Sequence, residues 1–196
     1  MIGFQLTPEQ QALRSHVGAF ASAHLSGARS IYEAAGASGK WSDRFRSTLP
    51  LYQEAVKAGL IKAQVPQPLG GLGGSLMDAA LVVEEMYAVE ASASLTILGT
   101  GLGLTPLLLA GSPEQHERFL KPFLSGEGEP LASLVFSEPA GSANYSAPGS
   151  SGLMTTAKLT DGEYVINGEK VSVLAQGCKS IKSRCRHGIQ QPWRKH

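Results

Sequence analysis

The chain has 196 residues, enough for one good core and part of a second domain. Its net charge of +1 hides a break: residues 1–170 hold all 16 acidic groups and eleven of the 17 basic ones, while the last 26 residues hold six basic groups and no acid. The acidic body gives no reason to invoke nucleic acid. The two cysteines, Cys178 and Cys185, are too few for a disulfide scaffold, and with His187 they match zinc spacing poorly.

The N-terminus, MIGFQLTPEQQALR, has no basic region before an apolar stretch and is not the Arg-rich, acid-free type. Neither a secretory signal nor a transit peptide is expected, and the reading is cytoplasmic. Thr7-Pro8-Glu9-Gln10 is a helix start, with Leu13, Val17, Phe20 and Ala21 following at helical spacing. Residues 27–40 read as a weak Gly/Ala/Ser-rich connection. Pro50 opens a helix carrying Leu51, Tyr52, Ala55 and Val56, and Gly59 ends it. A Gly-rich loop leads to Ser75, which caps a helix with Asp78 in its first turn. Leu76, Ala79, Ala80, Val83, Met86 and Tyr87 are expected to form its buried stripe, with Glu84 and Glu85 facing away. Residues 91–113 carry no charge and are long enough to test as a membrane span. Their glycines, Pro106 and hydroxyls favour a buried core helix or two short ones. Ser112-Pro113-Glu114-Gln115 is a capping box for a helix over 113–125.

The pattern then changes. Residues 131–137 are a strand candidate. Residues 153–159 and 163–166 flank Asp161-Gly162, a strong hairpin signal, and Asn167-Gly168 reads as a second turn. The fold class expected is mainly α with some β: an all-helical domain over 1–128, the first strands of an antiparallel β domain over 129–170, and a divergent basic tail over 171–196.

Most candidate motifs have bland readings. The loop 68–75 lacks the Lys-Ser/Thr of a phosphate-binding P-loop, and Gly99, Gly101 and Gly103 have the wrong spacing for a dinucleotide fingerprint. His16, His24 and His116 show no nucleophile or carboxylate partner, so no hydrolase triad is supported. Glu84-Glu85 reads as a solvated face, and Glu127 with Glu129 as a helix-end loop.

Residues 119–144, FLKPFLSGEGEPLASLVFSEPAGSAN, are more informative. An apolar strand runs into Ser137-Glu138-Pro139 and then the small residues Ala140, Gly141, Ser142 and Ala143. Such a strand end exposes backbone N–H groups to a ligand. INGEK at 166–170 follows about thirty residues later, and Val65-Pro66 with Gly70-Gly71 precede a glutamate-bearing helix. These four ordered elements resemble the acyl-CoA dehydrogenase superfamily, whose flavin-binding signature is Thr-Glu-Pro, a Gly/Ser-rich turn and Asp. Within it, the wording of EAVKAGLIKAQVPQPLGG and of FLKPFLSGEGEPLASLVFSEP is closest to the nitroalkane oxidases. The resemblance covers residues 4 to about 170.

The resemblance implies an FAD-dependent oxidoreductase. Leu134, Val135, Phe136 and Ser137 match the strand end at the flavin ring, and Ser142, Ala143 and Asn144 match the turn near the ribityl and pyrophosphate groups. Ser137 stands where Thr is usual and Asn144 where Asp is usual. In the oxidase version a carboxylate takes the α-proton of a nitroalkane and electrons pass to flavin N5; in the alternative, an acyl-CoA dehydrogenase acts on the CH–CH group of an acyl thioester. The family implies a small-molecule substrate and a homo-oligomer, with no nucleic acid, membrane or metal. Family members continue the Asn-Gly-x-Lys turn with a Trp and, two residues on, a hydroxyl; here Ser172 and Leu174 occupy those positions. The strands and helical bundle that supply the catalytic base do not fit into 26 residues, so no catalytic residue is assigned and an inactive fragment with a disordered tail is expected. A retained intron is the preferred origin of the tail and a frameshift the runner-up. A non-catalytic helical interaction module whose basic tail binds anionic partners is the reading from a different class.

Overall fold

The computed structural model describes residues 5–140, 145–146, 148–149, 152–171 and 180–187. It is mainly helical with some antiparallel β structure and divides into two compact units, the first running to Leu134 and the second beginning at Val135.

The first unit is built from α1 (Pro8–His24), α2 (Ala28–Ala35), α3 (Trp41–Ser47), α4 (Leu49–Lys57), α5 (Leu76–Val89), α6 (Ala91–Ala110) and α7 (Pro113–Leu124). Three starts are locally encoded. Thr7, Ser75 and Ser112 each accept from the backbone N–H three residues on, while Gln10, Asp78 and Gln115 reach back to the cap. Gly59 takes φ of 78° just past α4, a conformation that Cβ disfavours. The core gathers Val17, Phe20 and Ala21 from α1, Tyr52, Ala55 and Val56 from α4, Met86 from α5, and Ala93 and Ile97 from α6. A smaller cluster joins Val65, Leu104 and Leu120. Each fully buried aliphatic side chain contributes about 1.5–3 kcal/mol by its removal from water.

Several elements differ from the sequence expectation. Residues 27–40 are not a loose connection: they contain α2, whose Arg29 pairs with Glu33 one turn on and whose Tyr32 packs on the core and donates to Glu90. On α5 the buried residues are Leu81 and Met86, whereas Leu76 is 87% exposed and Val83 and Tyr87 also face out. That helix is apolar on most of its circumference, so spacing alone does not choose its inner face. Glu85, expected to face away, instead turns toward α1 and meets Arg14 at 2.6 Å.

α6 is one helix with Pro106 inside. By length and composition it could cross a membrane, yet Ala93, Ser94, Ile97, Gly99, Thr100 and Leu104 are buried in the first unit. Gln64 grips it from the side. The Gln64 amide donates to the carbonyl of Ile97 at 3.0 Å and accepts from the N–H of Gly101 at 2.6 Å, the i and i+4 partners of one helical turn. A methyl at Gly101 would lie 2.4 Å from Gln64 Oε1, which gives this helical glycine a reason.

The second unit holds a three-stranded antiparallel sheet of β1 (Thr156–Thr160), β2 (Glu163–Val171) and β3 (Ser180–His187), in that order. The β1–β2 hairpin turns at Asp161 and Gly162, both with positive φ (52° and 81°), as a two-residue hairpin loop requires. Asn167-Gly168 is not a turn. It lies inside β2, opposite Arg184 and Ser183 of β3. Gly168 serves packing instead: a Cβ there would sit 2.3 Å from Thr155 Oγ1. Residues 180–187 lack apolar alternation but pair along β2, because a ladder joins backbone groups and asks nothing of side chains. The strand expected over 131–137 is not one. Its one described backbone bond to a neighbour, Val171 N–H to Ser137 C=O at 2.9 Å, does not make a ladder.

Candidate cofactor-binding site

The sequence places its cofactor residues on 134–144. Leu134 ends the first unit; Val135, Phe136 and Ser137 open the second. Ser142, Ala143 and Asn144 lie outside the described residues, as do Ser172 and Leu174. Leu134, Val135 and Ser137 are half-buried and Phe136 is exposed, its ring edge-on to Tyr145 at 5.8 Å between centroids.

The segment is fixed at its carbonyls. The Lys170 ammonium donates to the Phe136 carbonyl at 3.0 Å, and the Val171 N–H donates to that of Ser137. The N–H groups of Val135, Phe136 and Ser137 donate to no described residue. Backbone donors outside any ladder are the kind of group that a ligand rich in carbonyl and ring-nitrogen acceptors would use.

Glu138 is the one buried carboxylate among the described residues, at 4% exposure. Its Oε2 accepts from Met154 N–H at 2.6 Å. Its Oε1 accepts from Thr155 N–H at 3.1 Å and from Lys170 Nζ at 2.8 Å. The Lys170 ammonium, with Thr155 and the Met154 amide, holds this carboxyl down at about 2. Thr155 Oγ1 is buried beside it without a hydrogen-bond partner. Sequence reasoning placed Glu138 in the turn but gave Lys170 no role. The signal was present in the fixed order of Ser-Glu-Pro and Asn-Gly-x-Lys, whose charged members meet here.

The other candidates stay apart. The Gly-rich loop spends its donors on its own chain: Gly71 N–H on Pro66, Leu72 N–H on Lys62 and Gly73 N–H on Val65. These three N–H groups are thus not turned to a phosphate. His116 bonds the carbonyl of Leu107 and His24 stacks on Phe20. Glu129 accepts from Gln53. No group of three metal-ligating side chains occurs among the described residues.

Comparison with known proteins identifies the family. Residues 7–127 match the family described as acyl-CoA dehydrogenase, N-terminal domain. A nitroalkane oxidase of Fusarium oxysporum is 50% identical over 171 residues, covering 87% of this chain and 38% of that protein. One of Podospora anserina is 59% identical over 128 residues, covering 65% and 30%. The solved structure of a nitroalkane oxidase active-site variant crystallised with 1-nitrooctane superposes with a TM-score of 0.81 at 49% identity, over 87% of this chain and 39% of that one. The chain thus spans less than two fifths of the length of these relatives. With the helical unit matched nearly end to end, the chain belongs to the acyl-CoA dehydrogenase N-terminal domain family.

Proposed function

We propose that this chain forms the helical unit and the leading edge of the flavin site of an FAD-dependent oxidoreductase of the nitroalkane oxidase type. The observation that supports the cofactor reading is that the N–H groups of Val135, Phe136 and Ser137 donate to no described residue, while the carbonyls of Phe136 and Ser137 are taken by Lys170 and Val171. The 50% identity to a nitroalkane oxidase, through the hairpin as well as the helices, carries the substrate class. FAD, when bound, supplies the electron acceptor for a carbon acid that has lost its α-proton. Val135, Phe136 and Ser137 would orient the ring by hydrogen bonds.

None of the described carboxylates suits the post of general base. Glu138 is the buried one, and with its pKa near 2 and three donors bound it is too weak to take a carbon-bound proton near neutrality. We therefore read the 196-residue chain as a fragment that lacks catalysis by itself.

A chimera tests the substrate class. Residues 5–170 replace the matching part of the Fusarium oxysporum nitroalkane oxidase, and flavin absorbance is followed anaerobically with nitroethane and with an acyl-CoA. Bleaching by nitroethane alone is expected. Bleaching by the acyl thioester alone would move the chain to the dehydrogenase reading that its family name carries.

A further inference from the structure

We propose that residues 97–106 of α6 form a hinge within the helical unit and that Gln64 is its latch. The joint is a property of the helical unit alone. Its buried side chains fall into a larger and a smaller cluster. Ala93 and Ile97 of α6 belong to the larger one, together with Leu60 and Ile61. Leu104 of α6 belongs to the smaller one, together with Val65 and Leu120. The chain therefore passes from one cluster to the other along 61–65 and again along 97–104. After α7 it does so once more, since Leu131 packs on the larger cluster and Ala132 on the smaller. Gln64 ties the first two crossings together.

α6 is weakest where it crosses. Gly99, Gly101 and Gly103 fall in this stretch, and glycine is the poorest helix former after proline. Pro106 has no N–H to return to Leu102, so one rung of the helical ladder is missing. Ile97 C=O and Gly101 N–H, partners across one turn, both bond the Gln64 carboxamide instead of relying on each other alone. A proline and a side chain that enters the ladder are each a cause of helix bending, and both act here on the same stretch. The latch needs a carboxamide: its NH2 group donates to Leu60 C=O and Ile97 C=O at 3.0 Å each, while its oxygen accepts from Gly101. Opening the joint parts Leu104, Leu120 and Ala132 from the larger cluster and leaves each cluster whole. Phe123 packs on both clusters and is the contact across which they slide. Gly103 lies against the backbone of Ala132 and Ser133, where a Cβ would come within 2.4 Å, so the chain just before the end of the unit moves with the second half of α6.

Amide hydrogen exchange of the full chain tests this, read by mass spectrometry with fragments of α6 resolved from those of α1 and α5. In Gln64→Leu, exchange over 97–106 should rise about tenfold, the scale of one or two lost hydrogen bonds, while α1 and α5 keep their rates. Pro106→Ala gives Leu102 back its donor at an exposed position. It should slow exchange over 97–106 in the parent and also in the Gln64→Leu background. Unchanged exchange over 97–106 in Gln64→Leu overturns the latch. A rise spread equally over all the helices shows that Gln64 adds only general stability, and it overturns the hinge. Should Gln64→Leu not fold, Pro106→Ala in the parent still decides: exchange over 97–106 that does not slow relative to α1 and α5 overturns the hinge.

Discussion

Tyr52 carries a hydroxyl into the middle of the helical core, at 2% exposure, and the core accommodates it only because two partners wait there. The phenol meets Thr100 Oγ1 at 2.8 Å and donates to the carbonyl of Pro130 at 2.6 Å, joining α4, α6 and the chain after α7. Tyr52→Phe should destabilise the helical unit by about 1–3 kcal/mol, the cost of leaving a buried acceptor unmet, as read from urea unfolding. Burial pushes the phenol up to about 12. Folding therefore favours its neutral form, a contribution present in full below about 10 and lost as pH rises through 12. The parent should lose stability over that window faster than the Phe variant; parallel curves would contradict the assignment. Glu138 has the opposite sign. Its carboxyl falls from 4.5 to about 2 in the folded chain, so its contribution is present above 4.5 and is lost as pH falls through 2. Amide exchange at Met154 and Thr155 should stay slow down to about pH 3, and the Glu138→Gln variant should show no such protection at any pH. Part of this was legible in the residues. Ser-Glu-Pro after an apolar run marks a turn whose carboxylate is spent on the fold, although its donors are Met154, Thr155 and Lys170 and not the turn itself. The partner lysine was hidden because 32 residues separate the two in sequence.

At the scale of elements, what could be read depended on whether the determinant is local. The helix starts at Thr7, Ser75 and Ser112 and the Asp161-Gly162 turn were readable because cap and turn chemistry lies within four residues. The inner face of α5 and the state of residues 131–137 were not. The first depends on the packing of Met86 among residues of α1, α4 and α6, and the second on whether a neighbouring strand supplies a ladder. Asn167-Gly168 misled for a related reason: a glycine admits a turn, but here it admits the approach of Thr155. Gly103 on α6 gives this idea a quantitative test. Helix propensity alone would make Gly103→Ala stabilising by about 1 kcal/mol. Its Cβ, however, would lie 2.4 Å from the backbone nitrogen of Ser133 and 2.5 Å from the carbonyl carbon of Ala132, and backbone cannot rotate away as a side chain can. Overpacking of this kind costs about 1–3 kcal/mol. A lowered melting temperature is expected, and a raised one would mean that α6 and the chain after α7 are not held this closely.

For the molecule as a whole, the question is whether 196 residues can do the chemistry that their family membership suggests. Removing an α-proton calls for a base of suitable strength within hydrogen-bond reach of the carbon acid, a contribution of roughly two to four orders of magnitude. Glu138 is the buried carboxylate among the described residues, and it is bound to three donors with a pKa near 2. Glu85 is paired with Arg14 at the surface of the α1–α5 contact, and Glu84 is exposed. None is both available and desolvated. Anaerobic mixing of the chain, FAD and nitroethane should give no enzyme-dependent bleaching, and Glu84→Gln, Glu85→Gln and Glu138→Gln should change nothing in that assay. Bleaching by the parent that one of these substitutions removes would place the base inside this chain. Bleaching that survives all three would call instead for a base among the remaining acids. The absence of bleaching, set beside nitroethane turnover in the chimera, would divide the labour cleanly: residues 5–170 orient the flavin, and proton removal belongs to the part of the relatives that this chain does not match.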